Sequence, residues 1–164
     1  MKKLFITFIM LVLIMGFTAC GNTNQPSGSE PAPIDSIHTV ETEEITAMKM
    51  NVTIGDNSFT ATLEDNTATH ELIEMMEEAP VSIDMDDYSG FEKVGSLGRS
   101  LTTDNRQITT QPGDIVLYSG NQIVMFYGSN SWSYTRIGKI DDLSGWEDAL
   151  GNGNVTAVFS IITK

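Results

Sequence analysis

Cysteine is nearly absent from this chain of 164 residues, which holds only Cys20. A single thiol has no partner in its own chain, so a disulfide framework is excluded, and a metal site built from several thiolates is excluded with it. Histidine is almost as scarce, with His38 and His70 alone, and their segments give no pattern for a Ser-His-Asp triad. Positive charge is also in short supply: nine lysines and arginines face 22 acidic residues, a net charge of −13. Such a surface repels phosphate, which argues against a nucleic-acid partner. Gly95-Ser96-Leu97-Gly98 and Gly151-Asn152-Gly153 lack a following Lys-Ser/Thr, so they read as turns rather than as a phosphate cradle. No cofactor and no metal are expected. After the first 17 residues, no apolar run approaches the roughly 20 residues of a membrane-spanning helix.

What is present begins at the N-terminus. Lys2 and Lys3 precede an apolar run from Leu4 to Phe17, and small residues lead to Cys20. A basic stretch, an apolar stretch and a small-residue cleavage site make an export signal. The segment Phe17-Thr18-Ala19-Cys20 resembles the lipobox of bacterial lipoproteins. That resemblance implies cleavage before Cys20, which then becomes the new N-terminus and carries a diacylglycerol thioether. Residues 1–19 are therefore expected to be a lipoprotein signal peptide, and the protein to be exported and lipid-anchored to the outer side of the cytoplasmic membrane, or more broadly in the cell envelope. Without Lys2 and Lys3, seven basic residues would face 22 acidic ones, so acyl chains rather than charge must hold the membrane.

Residues 20–46 are rich in Asn, Gln, Ser, Pro and Glu and poor in large apolar side chains, the composition of a disordered tether. A flexible chain of that length spans about 25 to 30 Å on average. The single folded domain is expected over residues 47–164.

Met48, Met50, Val52 and Ile54 alternate with polar residues, Gly55-Asp56-Asn57-Ser58 supplies turn chemistry, and Phe59, Ala61 and Leu63 alternate on the way back. This predicts a β-hairpin. Asp65-Asn66-Thr67 can cap a helix, and Ala68, Leu72, Met75, Met76 and Ala79 then recur at helical spacing up to Pro80. The methionines of that stripe are expected to pack on a sheet. Val81, Ile83 and Met85 predict a short strand leading into an acidic loop. Ile115 to Tyr118 and Ile123 to Tyr127 flank the turn Ser119-Gly120-Asn121-Gln122 and are apolar almost throughout, which predicts a central hairpin. Further strands are predicted at Tyr134–Ile140 and Val155–Ile162, with a helical turn at 143–150. About eight strands and one or two helices suit a closed barrel, because closure removes sheet edges.

Several segments, in order, resemble the small bacterial and archaeal cyclophilin-like family: Met50-Asn51-Val52-Thr53-Ile54-Gly55, Leu63-Glu64-Asp65-Asn66-Thr67-Ala68, Asp87-Tyr88-Ser89-Gly90-Phe91-Glu92-Lys93-Val94-Gly95, Gly113-Asp114-Ile115-Val116-Leu117-Tyr118, Phe126-Tyr127-Gly128 and Arg136-Ile137-Gly138-Lys139-Ile140. The resemblance implies a mostly β fold, a closed cyclophilin-like eight-stranded β-barrel with one or two flanking helices. It does not by itself imply activity. Cyclophilins isomerise X–Pro bonds with an arginine in a Phe-His-Arg segment, and no such segment occurs here.

The acidic cluster Asp84, Asp86, Asp87 and Glu92 fails the calcium-loop spacing, with no glycine sixth and Gly95 where the closing glutamate belongs. It reads as a solvated loop. The aromatic residues offer the better recognition surface, and Trp132 is expected to be exposed in the loop that follows Gly128. Tyr88, Tyr127 and Trp132, with Arg99 as a polar partner, form the candidate ligand groove. The function expected is a non-catalytic module that binds a peptide or small molecule. The alternative is a divergent peptidyl-prolyl cis-trans isomerase that uses Arg99 or Arg106.

Overall fold

The computed structural model describes residues 48–162. The expected signal peptide, Cys20, His38 and the tether lie outside those residues. Among the described residues, β1 (Lys49–Ile54) and β2 (Asn57–Leu63) form the first hairpin, followed by α1 (Thr67–Glu78), β3 (Val81–Tyr88) and β4 (Glu92–Ser96). Then come β5 (Arg106–Thr109), β6 (Asp114–Tyr118), β7 (Gln122–Phe126), β8 (Ser131–Ile140), α2 (Trp146–Leu150) and β9 (Val155–Ile161).

All pairings are antiparallel, and they run in the order β2-β1-β9-β3-β4-β7-β6-β8, with β8 returning to β2. Eight strands thus close into a barrel, and β5 lies outside the ring, paired only with the first half of β8. The seam joins Ala61 to Ile140, Thr62 to Lys139 and Leu63 to Gly138. A β-carbon on Gly138 would stand 2.6 Å from the Thr62 carbonyl oxygen, so the seam closes only with glycine there. In the first hairpin, Gly55 occupies the first of two turn positions with φ 56°, a conformation that glycine adopts without steric penalty.

Alternation along the strands fills the interior with Met50, Val52, Phe59 and Ala61 from the first hairpin, Ile115, Leu117, Ile123 and Met125 from the central one, and Phe159 from β9. The two helices add Leu72, Met76, Trp146 and Leu150 to the same core. The α1 stripe therefore packs on the sheet as its periodicity predicts, each fully buried Leu or Met contributing about 1.5 to 3 kcal/mol. Asn66 caps this helix by accepting from the Thr69 amide at 3.0 Å and donates to the Arg136 carbonyl at 2.8 Å, which ties α1 to β8. Ala79 is an exception to the stripe, being exposed at the C-cap. Trp146 donates its indole N–H to the Phe126 carbonyl at 2.8 Å and meets Phe59 edge-on.

Three segments differ from the sequence expectation. The acidic stretch after Met85 is not a loop: β3 runs on to Tyr88 and pairs with β4, Asp86 opposite Val94, Asp87 opposite Lys93 and Tyr88 opposite Glu92. The period-two signal fails because charged residues, Asp87 and Lys93, occupy inward positions. The polar stretch from Thr102 to Gln111 contains β5, whose residues are almost all exposed and so show no apolar alternation. Trp132 stands in β8 rather than in a loop, paired with Ile108 of β5.

Candidate ligand groove

The strands β4, β7, β6 and β8 present apolar side chains on both faces. Inward residues join the barrel core, while Val116, Val124, Phe126 and Tyr134 form a second buried cluster on the outer face. Phe91, Val94, Ile108 and Tyr118 pack around it. A cavity of about 520 Å³ opens over this outer layer. Val94 and Val124 line its apolar part, and Tyr88, Tyr118, Trp132 and Tyr134 supply aromatic surface.

Neighbouring contacts hold these rings. Tyr134 is 4% exposed and meets Phe126 and Tyr118 edge-on, with centroids 5.8 and 6.0 Å away. Its hydroxyl accepts from the Asn130 side-chain amide at 3.1 Å. Asn130 is in turn locked to Thr110 by two backbone amide donations, one in each direction, at 2.8 and 2.9 Å. That bracket fixes the start of β8 and, with it, Trp132. Tyr88 leans edge-on against Phe91. Tyr88 and Trp132 are each 56% exposed, although they border a preformed apolar concavity.

Glu92 lines the same cavity and is only 7% exposed. Its Oε2 is buried without a hydrogen-bond partner among the described residues. Burial disfavours the charged form, and it pushes this carboxyl from 4.5 up to about 7. Tyr134 is raised as well, first by burial and then by the Glu92 charge.

Lys93, the next residue, points the other way. Its side chain is fully buried toward the barrel interior, where the ammonium contacts Asp87 at 2.6 Å and donates to the carbonyls of Gly151 and Gly153 at 3.0 and 2.6 Å. Those three contacts use all three donors of the ammonium. The Tyr127 ring lies beside it, 5.2 Å from nitrogen to centroid, and the Tyr127 hydroxyl donates to Asp87. The Lys93 hydrogen bond, then that from Tyr127, lowers the Asp87 carboxyl. Desolvation, followed by the bond to Asp87, pushes the Tyr127 phenol up to about 12.

Of the four residues read from sequence as a groove, Tyr88 and Trp132 meet in one cavity. Tyr127 belongs to the inner Lys93–Asp87 cluster, and Arg99 is exposed in the connection between β4 and β5, away from the cavity lining. Arg106 pairs with Asp104 at 2.8 Å and lines a separate, more polar cavity. His70 is exposed on α1 beside Asp65. The acidic cluster is divided: Asp87 faces inward, Glu92 faces the groove, and Asp84 accepts from the Thr156 hydroxyl at 2.7 Å. Glu92 as a buried groove residue was hidden in the sequence, because a Glu-Lys pair in a polar stretch reads as solvated. The usable signal was the flanking pattern, with Phe91, Val94 and Gly95 around the pair.

Residues 52–160 match the model of the cyclophilin-like family. Among solved structures, the chain is similar to the solution structure of the hypothetical protein AF2241 from Archaeoglobus fulgidus, with a TM-score of 0.53 at 12% identity over 74% of this chain and 99% of that one. That likeness concerns the fold alone. A search of curated proteins finds no match.

Proposed function

The chain belongs to the cyclophilin-like family, and on that footing we propose that it is a non-catalytic binding module that takes a peptide segment or small ligand into the groove between Tyr88 and Trp132. One observation carries this reading: two large aromatic side chains, each more than half exposed, flank a preformed apolar concavity of about 520 Å³. Its size and character are those of a ligand site, and a bound molecule would recover the burial that both rings forgo. The isomerase alternative rests on Arg99 or Arg106, and neither lines the groove.

The proposal extends to location. Lys2 and Lys3, the apolar run and Cys20 support export and anchoring through diacylglycerol to the outer side of the cytoplasmic membrane, with residues 20–46 as the tether. Among the described residues no helix is long and apolar enough to cross a membrane.

Titration of the full-length chain in a nonionic detergent with a peptide library, followed by tryptophan fluorescence, tests the groove. Trp146 is buried and serves as a constant background, so the response is expected to vanish in Trp132→Ala. Silence in the wild type, or an undiminished response in Trp132→Ala, refutes the groove. Accelerated X–Pro isomerisation that is lost in Arg99→Ala or Arg106→Ala would establish the alternative instead. Cys20→Ser is expected to move the cleaved protein into the soluble fraction, and membrane retention of that cleaved protein would sink the lipid anchor.

A further inference from the structure

The groove contains one feature that an apolar ligand leaves unanswered. Glu92 is more than nine-tenths buried at its wall, and Oε2 lacks a hydrogen-bond partner among the described residues. A buried acceptor without a donor is costly, and the cost is removed when a ligand supplies the donor. The obvious internal candidate cannot do so: strand alternation sends Lys93 to the opposite face, where Asp87, Gly151 and Gly153 use its three donors. No lysine or arginine lines the groove among the described residues.

Building on the groove reading above, we propose that the groove selects a cation that carries N–H donors, a primary ammonium or guanidinium group on an apolar stem, seated on the Glu92 carboxylate among Tyr88, Tyr118, Trp132 and Tyr134. Aromatic faces attract such cations through their quadrupole, and a charged hydrogen bond to a desolvated carboxylate is about twice as strong as a neutral one. The cavity, at about 520 Å³, is far larger than a bare ammonium and leaves room for the stem on Val94 and Val124. Asp86, opposite Val94 on the same face of β3, adds negative charge beside the opening, and the net charge of −13 draws cations toward the molecule.

Proton linkage accompanies this binding. Burial pushes Glu92 up to about 7, and a bound cation pulls it back down, so a proton leaves as the ligand enters near neutral pH. The other ionisable groups around the cavity are the phenols of Tyr88 on β3, Tyr118 on β6 and Tyr134 on β8, with the Asp86 carboxyl on the outer face of β3. Glu92 is the carboxyl among the lining residues.

The test uses the full-length chain and three probes: Nα-acetyl-lysine methylamide, its neutral Nε-acetyl analogue, and its Nε-trimethyl analogue, which keeps the charge but has no N–H on the side-chain nitrogen. The free lysine probe is expected to bind through Trp132 at least about tenfold more tightly than the neutral one, and more tightly than the trimethyl one. Glu92→Gln should abolish that preference. In the wild type, which needs no variant to fold, affinity for the lysine probe should rise about tenfold from pH 6 to pH 8 as Glu92 ionises. Equal binding of charged and neutral probes, a trimethyl probe as tight as the free amine, or a flat pH profile would each overturn the proposal. If peptides or neutral probes still bind through Trp132, the groove reading survives that failure; if nothing binds there, both fall.

Discussion

Glu92→Gln offers a stability experiment that requires no ligand. The wild-type carboxyl ionises near 4.5 in the unfolded chain and near 7 in the fold. Between those values the folded state holds a proton that the unfolded state has lost, so stability falls as pH rises across the window. A difference of about two and a half pH units, at about 1.4 kcal/mol each, makes the ionised Glu92 cost about 3.5 kcal/mol well above pH 7. Glutamine keeps the shape and cannot ionise. Relative to its offset from the wild type at pH 5, the variant should therefore gain about 2.5 kcal/mol by pH 8. Urea denaturation of both proteins at half-unit steps from pH 5 to 8 measures this difference, and the comparison cancels every other titrating group. An offset that does not change with pH would refute the reasoning, because it would mean that Glu92 titrates as a solvated side chain. A carboxyl carbon resonance of Glu92 that shifts near pH 4.5 would refute it equally.

Other outcomes follow from the barrel itself. Lys93→Ala should lower stability by about 3 kcal/mol in chemical denaturation, since it strips the partner from a buried ion pair and leaves two glycine carbonyls facing the interior; a change under about 0.5 kcal/mol would show that the cluster is solvated. Gly138→Ala should cost about 1 to 3 kcal/mol, because the new methyl meets the Thr62 carbonyl at the closing seam, and an unchanged melting temperature would mean that the seam can part without penalty. Trp132→Ala, by contrast, should stay within about 0.5 kcal/mol of wild type by thermal denaturation, since much of its ring already meets water; a large loss would make Trp132 a packing residue instead.

Much of the architecture was legible without coordinates. The β1–β2 hairpin, the capped helix α1, the apolar pair β6 and β7, and β9 all bury one face or both, and each carries the periodicity that burial imposes. Strand β5 carried no such signal because it lies outside the ring and, Ile108 apart, holds its side chains in water. The β3–β4 hairpin was masked by the interior ion pair of Asp87 and Lys93, since charge at an inward position mimics a loop. In the groove, Tyr88 and Trp132 were singled out by composition, as amphipathic rings in polar company, but nothing local said that they would meet. Tyr127 is the same kind of residue, but it directly follows the outward-facing Phe126 at the end of β7, and that single step turns it to the inner face beside Asp87.

By itself the sequence determined that the domain is one cysteine-free, acidic, mostly β unit, and which strands are buried on both faces. These are properties of local pattern and total composition, and short-range physics sets them. Only the tertiary structure decided what the polar residues do. Strand alternation sent two consecutive residues to opposite sides of one sheet, Lys93 into a saturated interior cluster and Glu92 against an aromatic groove without a donor. Whether a carboxylate is solvated or stranded depends on what the rest of the chain brings within hydrogen-bond distance. Segments far apart in sequence, β3, β4, β6, β7 and β8, had to meet before that question had an answer.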